Sequence, residues 1–277
     1  MTTGDDLALR ARLQRVHLDL MQSLTARGPL AHLHWGLWAD VEERPDNLAL
    51  AQDAYADFVV ARVPASAASL LDVGCGLGSI AARLARRRIA VTALTPVAEH
   101  AALIRAAGVD GLETVCTRFE EYRTDQRFDV VLLAESVNYF LAMDPGGVRQ
   151  SSAALLAKCE ALLAPGGTIV LADTLNPDFL QTLDADPRLT TVARVDISAD
   201  VKYTADALQA AIDRWWSPFR RALLDAILIV DPELHARLVA ALAALPHPGM
   251  RSLFADVALE RQRLSERPYL VVSLRRR

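Results

Sequence analysis

Cysteine is scarce in this chain: three among 277 residues, at positions 75, 116 and 159. An odd number at wide spacing argues against a disulfide framework and against a CxxC metal pair. Three ordinary thiols point instead to a reducing, cytoplasmic setting. Lysine is scarcer still, with Lys158 and Lys202 against 28 arginines among the 30 basic residues, a bias that reads as genome composition. Positive charge is not in excess either. A net charge of −4 and a pI near 5.9 argue against a protein that grips nucleic acid by neutralising phosphates. No uninterrupted apolar run approaches the roughly 20 residues that span a bilayer. The acidic opening, Met1 to Asp6, has no apolar stretch of the kind a secretion signal needs. The expected setting is cytoplasmic, without nucleic acid or membrane as a partner.

What is present is core-forming sequence. Hydrophobic residues make up 52% of the chain and charged residues 23%, which excludes disorder for the chain as a whole. The length fits one large domain or two small ones. Leu9, Leu13, Val16, Leu20 and Leu24 recur at spacings of three and four and predict an amphipathic helix that Gly28-Pro29 ends. The aromatic segment Leu33-His-Trp-Gly-Leu-Trp38 follows, and then a helix over about 47–62. From residue 69 the pattern alternates. Strands are expected at 69–73, 89–94, 112–116, 128–133 and 168–172, separated by helices of ten to fifteen residues, which implies a parallel sheet with right-handed crossovers. Residues 175–250 read as mainly helical, including 205–216 and 232–245. Strands at about 256–263 and 269–274, closely joined, must be antiparallel.

The most informative segment is Leu70-Leu-Asp-Val-Gly-Cys-Gly-Leu-Gly78. A strand runs into a glycine turn and a helix starts at once. The glycines allow close backbone approach to a ligand, and the helix start offers free N–H groups and a positive dipole end. A dinucleotide fold wants G-x-G-x-x-G. Here the glycines fall at 74, 76 and 78, and Ser79 stands in the place of the third dinucleotide glycine.

With Phe128-Asp-Val-Val-Leu-Leu133 and Leu163-Ala-Pro-Gly-Gly-Thr-Ile-Val170 in the same order and spacing, residues 33–175 resemble the class I S-adenosylmethionine-dependent methyltransferases. Leu33 to Trp38 and Val91 to Thr95 are similar to the small-molecule, natural-product branch. The resemblance implies a Rossmann-like, doubly wound seven-stranded sheet, mostly parallel, with an antiparallel C-terminal hairpin and a helical cap. The implied parts are a lid segment (1–64), a cofactor-binding core (65–174), a cap insertion (175–250) and the terminal hairpin (251–277). It also implies S-adenosyl-L-methionine as cofactor, with Asp72, Gly74 and Gly76 shaping the turn for its methionine part. Thr95 stands where many members carry a ribose-binding acid, and His100 one turn later takes a ribose-binding glutamine's place. Phe119 and Glu120 match a pair flanking adenine, Ala134 lines the pocket, and Trp35 covers the cofactor with a cation–π contact.

Methyl transfer from a sulfonium needs mainly alignment, and a base only when the acceptor carries a proton of high pKa. Three places are candidates for that chemistry: His34 as a base, Tyr139 to orient an acceptor hydroxyl, and Asp173 at the end of the fifth strand. Glu135 at the same rim reads as a turn cap. The pair His32-x-His34 lacks a third metal ligand, so no metal is expected. Asn176-Pro-Asp-Phe179 resembles a motif of amino-methylating DNA enzymes but follows the fifth strand rather than the fourth. The expected partner is a small-molecule methyl acceptor, with O- or N-methylation first; a homodimer is left open. C-methylation of an isoprenoid or other apolar substrate is the alternative, favoured if Trp215, Trp216 and Phe219 line the pocket. An NAD-linked oxidoreductase and a non-catalytic cofactor-binding protein are the readings from other classes.

Overall fold

The computed structural model describes residues 32–142, 148–207 and 267–277, together with positions 210, 232, 233 and 236. The expected helix over 9–24, the cap helices over 205–216 and 232–245, the strand at 256–263 and the residues Trp215, Trp216 and Phe219 lie outside the described residues, apart from single positions.

Among the described residues seven strands form one sheet: β1 (Ser69–Val73), β2 (Ala90–Thr95), β3 (Leu112–Cys116), β4 (Phe128–Ala134), β5 (Leu163–Thr174), β6 (Leu189–Asp196) and β7 (Tyr269–Arg276). The order is β3-β2-β1-β4-β5-β7-β6. The first five in that order are parallel. β7 runs antiparallel to both β5 and β6. This confirms the mostly parallel seven-stranded sheet with an antiparallel pair at its end. The first strand of that pair, however, lies at 189–196, inside a span read as helical. Its residues explain why. Five of the eight side chains in the middle of β6 are exposed in succession, so no buried face produces an alternating pattern. Its β-branched Thr190, Thr191, Val192 and Val195 carry the strand preference instead.

Helices cover both faces. α1 (Leu48–Val60) and α2 (Ser79–Arg86) pack on one face, and α4 (Val137–Ala142), α5 (Val148–Leu162) and α6 (Pro177–Ala185) on the other. α3 (Ala98–Ala106) joins β2 to β3, and α7 (Ser198–Val201) follows β6. The two core clusters divide the strands by alternation. Leu71, Val73, Val131, Leu133, Ile169 and Leu171 belong to one; Leu70, Val130, Leu132, Val170 and Ala172 belong to the other. Strands buried on both faces read as continuous apolar runs, which is why β1, β4 and β5 were legible at once.

Asn176-Pro-Asp-Phe179 has a local structural role. The Asn176 side chain accepts a hydrogen bond from Phe179 N at 2.7 Å, and Pro177 occupies the first turn of α6. That is an N-cap with proline where its missing N–H is not needed.

Because β1, β2, β4 and β5 are parallel, their C-terminal ends meet at one edge of the sheet. β7 begins there too, since Tyr269 pairs with Thr174 and Leu270 with Asp173. The glycine turn, Thr95, Ala134, Glu135 and Asp173 are thus brought to one rim by topology alone.

Candidate functional site

The glycine turn after β1 is built on positive dihedrals: φ is +77° at Gly74, +57° at Gly76 and +76° at Gly78. L side chains rarely adopt these values. Gly74 N and Cys75 N both donate to Leu94 O, at 3.0 and 2.9 Å, which ties the turn to the end of β2. A β-carbon on Gly74 would lie 2.6 Å from Ser136 Cβ, and one on Gly78 would lie 2.8 Å from Ile104 Cγ1. Gly76 differs. A β-carbon there would make ordinary van der Waals contact with Leu33 Cδ1 at 3.7 Å and Cβ at 3.9 Å, so Leu33 stands in front of Gly76 and the protein itself leaves room for a methyl group.

Asp72, one residue before the end of β1, is buried, and burial pushes its pKa up to about 7. An acid whose folded pKa is raised holds a proton that the unfolded chain has already lost across about pH 4–7. The contribution of Asp72 to stability is therefore greatest below that window and falls as pH rises through it, while the lowered pKa of His34 acts in the opposite direction over about pH 3–6.5. The expected loss is about 2–4 kcal/mol for a shift of this size. Urea melts of the wild-type chain and Asp72→Asn between pH 4 and 8 should show it as a difference: relative to wild type, the stability of the variant should rise with pH across that window.

The segment 32–38 lies across this turn. Leu33 faces Gly76. His34 Nδ1 donates to Trp35 O at 2.9 Å, which leaves Nε2 as an acceptor for the Ser79 hydroxyl at 3.3 Å. Burial pushes the His34 pKa down to about 3, so the imidazole is neutral. Gln52 Nε2 donates to His34 O at 2.6 Å, and Leu37 N to Ala51 O at 2.8 Å, which dock the segment on α1. The Thr204 hydroxyl receives Gly36 N at 2.9 Å and Trp38 Nε1 at 2.8 Å. Trp35 N donates to Glu135 Oε1 at 2.8 Å. The Tyr269 hydroxyl donates to the same oxygen at 2.6 Å and is itself 2.7 Å from the Tyr55 hydroxyl. Glu135 thus links the segment to the sheet, where the sequence suggested a turn cap. Tyr55, Tyr269, Gln52 and Thr204 are partners that sequence reasoning missed, because each is distant in the chain from what it holds.

Asp173 is buried, and burial pushes its pKa up to about 6 against hydrogen bonds that favour the carboxylate. Those bonds come from Asn138 Nδ2 at 2.7 Å, Asn138 N at 3.3 Å and Thr174 N at 2.8 Å. Tyr139 lies on α4, directly after Asn138. Thr95 is buried at the end of β2, with Oγ1 receiving Val97 N at 3.3 Å. His100, in the first turn of α3, is buried with Nε2 unpartnered, and burial lowers its pKa. Phe119 is buried and packs edge-on against Phe140, with ring centroids 5.6 Å apart, whereas Glu120 is exposed. Ala134 is half-buried at the end of β4.

Lys158 on α5 holds the turn that carries Phe119 and Glu120. Its ammonium donates to Phe119 O, to Glu120 O at 3.0 Å and to Tyr122 O at 3.2 Å, and sits 4.8 Å from the Phe119 ring centre. Residues 118–122 form a single helical turn, so the lysine meets carbonyls at the turn's negative end. Its rarity was the sole sequence signal, and rarity does not reveal what a side chain touches.

The strand order and the glycine turn define a Rossmann-like α/β domain. An all-parallel dinucleotide sheet runs 3-2-1-4-5-6, and here the antiparallel β7 stands between β5 and β6. Residues 71–171 match the protein family described as "Methyltransferase domain", and that segment is a methyltransferase domain. The chain is 31% identical over 163 residues to the ubiquinone biosynthesis O-methyltransferase of Xanthomonas campestris pv. campestris (strain B100), covering 57% of this chain and 61% of that protein. It is 33% identical over 113 residues to the protein of the same name from Bradyrhizobium sp. (strain ORS 278), covering 40% and 41%. The chain thus spans about half the length of the curated relatives it matches. Among solved structures it is similar to the [4+2]-cyclase SpnF, with a TM-score of 0.65, 19% identity and coverage of 95% and 94%. It is also similar to the cyclopropane synthase MmaA2 from Mycobacterium tuberculosis, with a TM-score of 0.63, 16% identity and coverage of 88% and 90%. These likenesses establish the fold.

Proposed function

We propose that the chain is an S-adenosylmethionine-dependent methyltransferase that methylates an oxygen or nitrogen atom of a small molecule, a secondary metabolite or its sugar. The observation that carries this reading is the glycine turn at positive φ with the segment 32–38 laid across it, inside a segment that matches the methyltransferase family. One fold neighbour is named a cyclase, so the fold alone does not assign the reaction.

The residues present suit the cofactor. Gly74 and Gly76 receive the methionine part, with Asp72 and Ala134 at the ends of β1 and β4 beside them. The unpartnered Nε2 of His100 is a buried polar atom of the kind that costs about 1–3 kcal/mol. A ribose hydroxyl would satisfy it, with Thr95 nearby in place of the usual acid. Phe119 and Glu120 would flank the adenine, on the turn that Lys158 secures. Trp35 would cover the sulfonium. When bound, the cofactor supplies a methyl group already activated for transfer to a nucleophile.

The chain's own contribution is alignment and exclusion of water, worth up to roughly 7–11 kcal/mol of barrier. His34 acts by position: both nitrogens are engaged and its low pKa makes it a poor proton acceptor at neutral pH. Asp173, with its pKa near 6, suits taking a proton from an O–H or N–H acceptor. Tyr139 orients that acceptor. Calorimetry tests the reading. S-adenosylhomocysteine should bind at micromolar levels and NAD should not; the reverse preference would overturn it.

A further inference from the structure

Glu135 is one of two described residues other than glycine with a left-handed backbone, at φ +57°. The other, Arg88, follows the end of α2, where helices commonly terminate in that conformation. Glu135 follows a strand. Strained backbone of this kind concentrates at functional sites, and it persists only where the side chain or its surroundings hold it.

The side chain supplies the reason for a residue larger than glycine. Glu135 Oε1 accepts from Trp35 N at 2.8 Å and from the Tyr269 hydroxyl at 2.6 Å. Since Tyr269 spends its proton on the carboxylate, the Tyr55 hydroxyl donates to Tyr269 at 2.7 Å. Both phenols are fully buried. Burial and the nearby carboxylate keep them protonated, as the chain of donors requires. Two parts of the fold, the start of β7 and the segment 32–38, donate to this one oxygen at the end of β4, and α1 joins them through the Tyr55 bond to Tyr269. Hydrogen bonds to an ionised acceptor are shorter and stronger than neutral ones. The same segment reaches the glycine turn through Leu33 at Gly76 and His34 at Ser79.

We propose that Glu135 is a positioning residue: its carboxylate, backed by Tyr269 and Tyr55, latches the Trp35 segment over the glycine turn and so sets how long the methyl donor stays enclosed. This rests on the methyltransferase reading above. The test measures S-adenosylhomocysteine dissociation by stopped flow and thermal stability by circular dichroism, both on the full chain. Glu135→Gly removes the carboxylate and relieves the backbone strain together. It should speed dissociation about tenfold, more than any accompanying change in melting temperature accounts for, because the strain relieved is offset by the donors on Tyr269 and Trp35 left without this acceptor. Glu135→Gln keeps an oxygen for both donors and should restore most of the slow dissociation. Tyr269→Phe should speed it about threefold. A Glu135→Gly chain that releases the ligand at the wild-type rate overturns the latch alone. So does one that loses affinity only in step with its melting temperature. A wild-type chain that does not bind S-adenosylhomocysteine overturns the donor reading and the latch with it.

Discussion

Gly76→Val is expected to weaken S-adenosylhomocysteine binding at least 100-fold while the chain stays folded. The protein itself has room for the new side chain, since the nearest heavy atom to a β-carbon there is 3.7 Å away on Leu33. On the methyltransferase reading, the added methyl groups would instead hinder the close approach of the donor to the glycine turn. A β-branched residue at φ +57° adds backbone strain of roughly 1–2 kcal/mol. That predicts a drop in melting temperature of a few degrees for a domain of this size. Calorimetry and thermal melts separate the two effects. Near-normal binding by this variant would show that the turn is not the donor site.

Gly74→Ala should act in the opposite way, mainly on stability. At φ +77° the alanine is strained, and its β-carbon would stand 2.6 Å from Ser136 Cβ. Ser136 cannot easily retreat, because its hydroxyl donates to Val73 O at 2.6 Å in the buried core of the edge. Alanine at positive φ and an overpacked contact each destabilise, together by about 2–5 kcal/mol. The melting temperature should fall by roughly 5–15 °C. Adding Ser136→Gly removes the obstructing β-carbon and should recover part of the loss. The two substitutions are in direct contact, so their effects should not add. Purely additive effects would show that the close approach is unimportant.

The contrast between these glycines marks how far a sequence can be read. G-x-G-x-G announces a turn that needs positive dihedrals, and all three positions have them. The letters do not tell at which glycine a β-carbon would clash and at which it would make only ordinary contact. Asp173 was legible as a rim residue because it closes an unmistakable apolar run, whereas Asp72, Thr95 and Ala134 follow from the family resemblance of the motifs around them. The rim partners of the segment 32–38 were not legible. Glu135 lies 100 residues from Trp35 and Tyr269 lies 134 from Glu135, and neither bond follows any local pattern. β6 was missed for the related reason that an exposed edge strand shows no buried face in its sequence.

The sequence by itself determined the parallel core, the glycine turn and the order of the motifs. Those depend on side-chain period and on residues whose backbone preferences act over a few positions. Tertiary structure alone decided that Gly76 has room for a β-carbon beside Leu33 and that His34 is held neutral between Trp35 and Ser79. It also decided that Lys158 secures the Phe119 turn and that Glu135 ties the aromatic segment to the sheet. Each of these depends on distance, burial or hydrogen-bond direction between elements far apart in the chain, and those quantities exist only once the sheet has brought its strand ends to one rim.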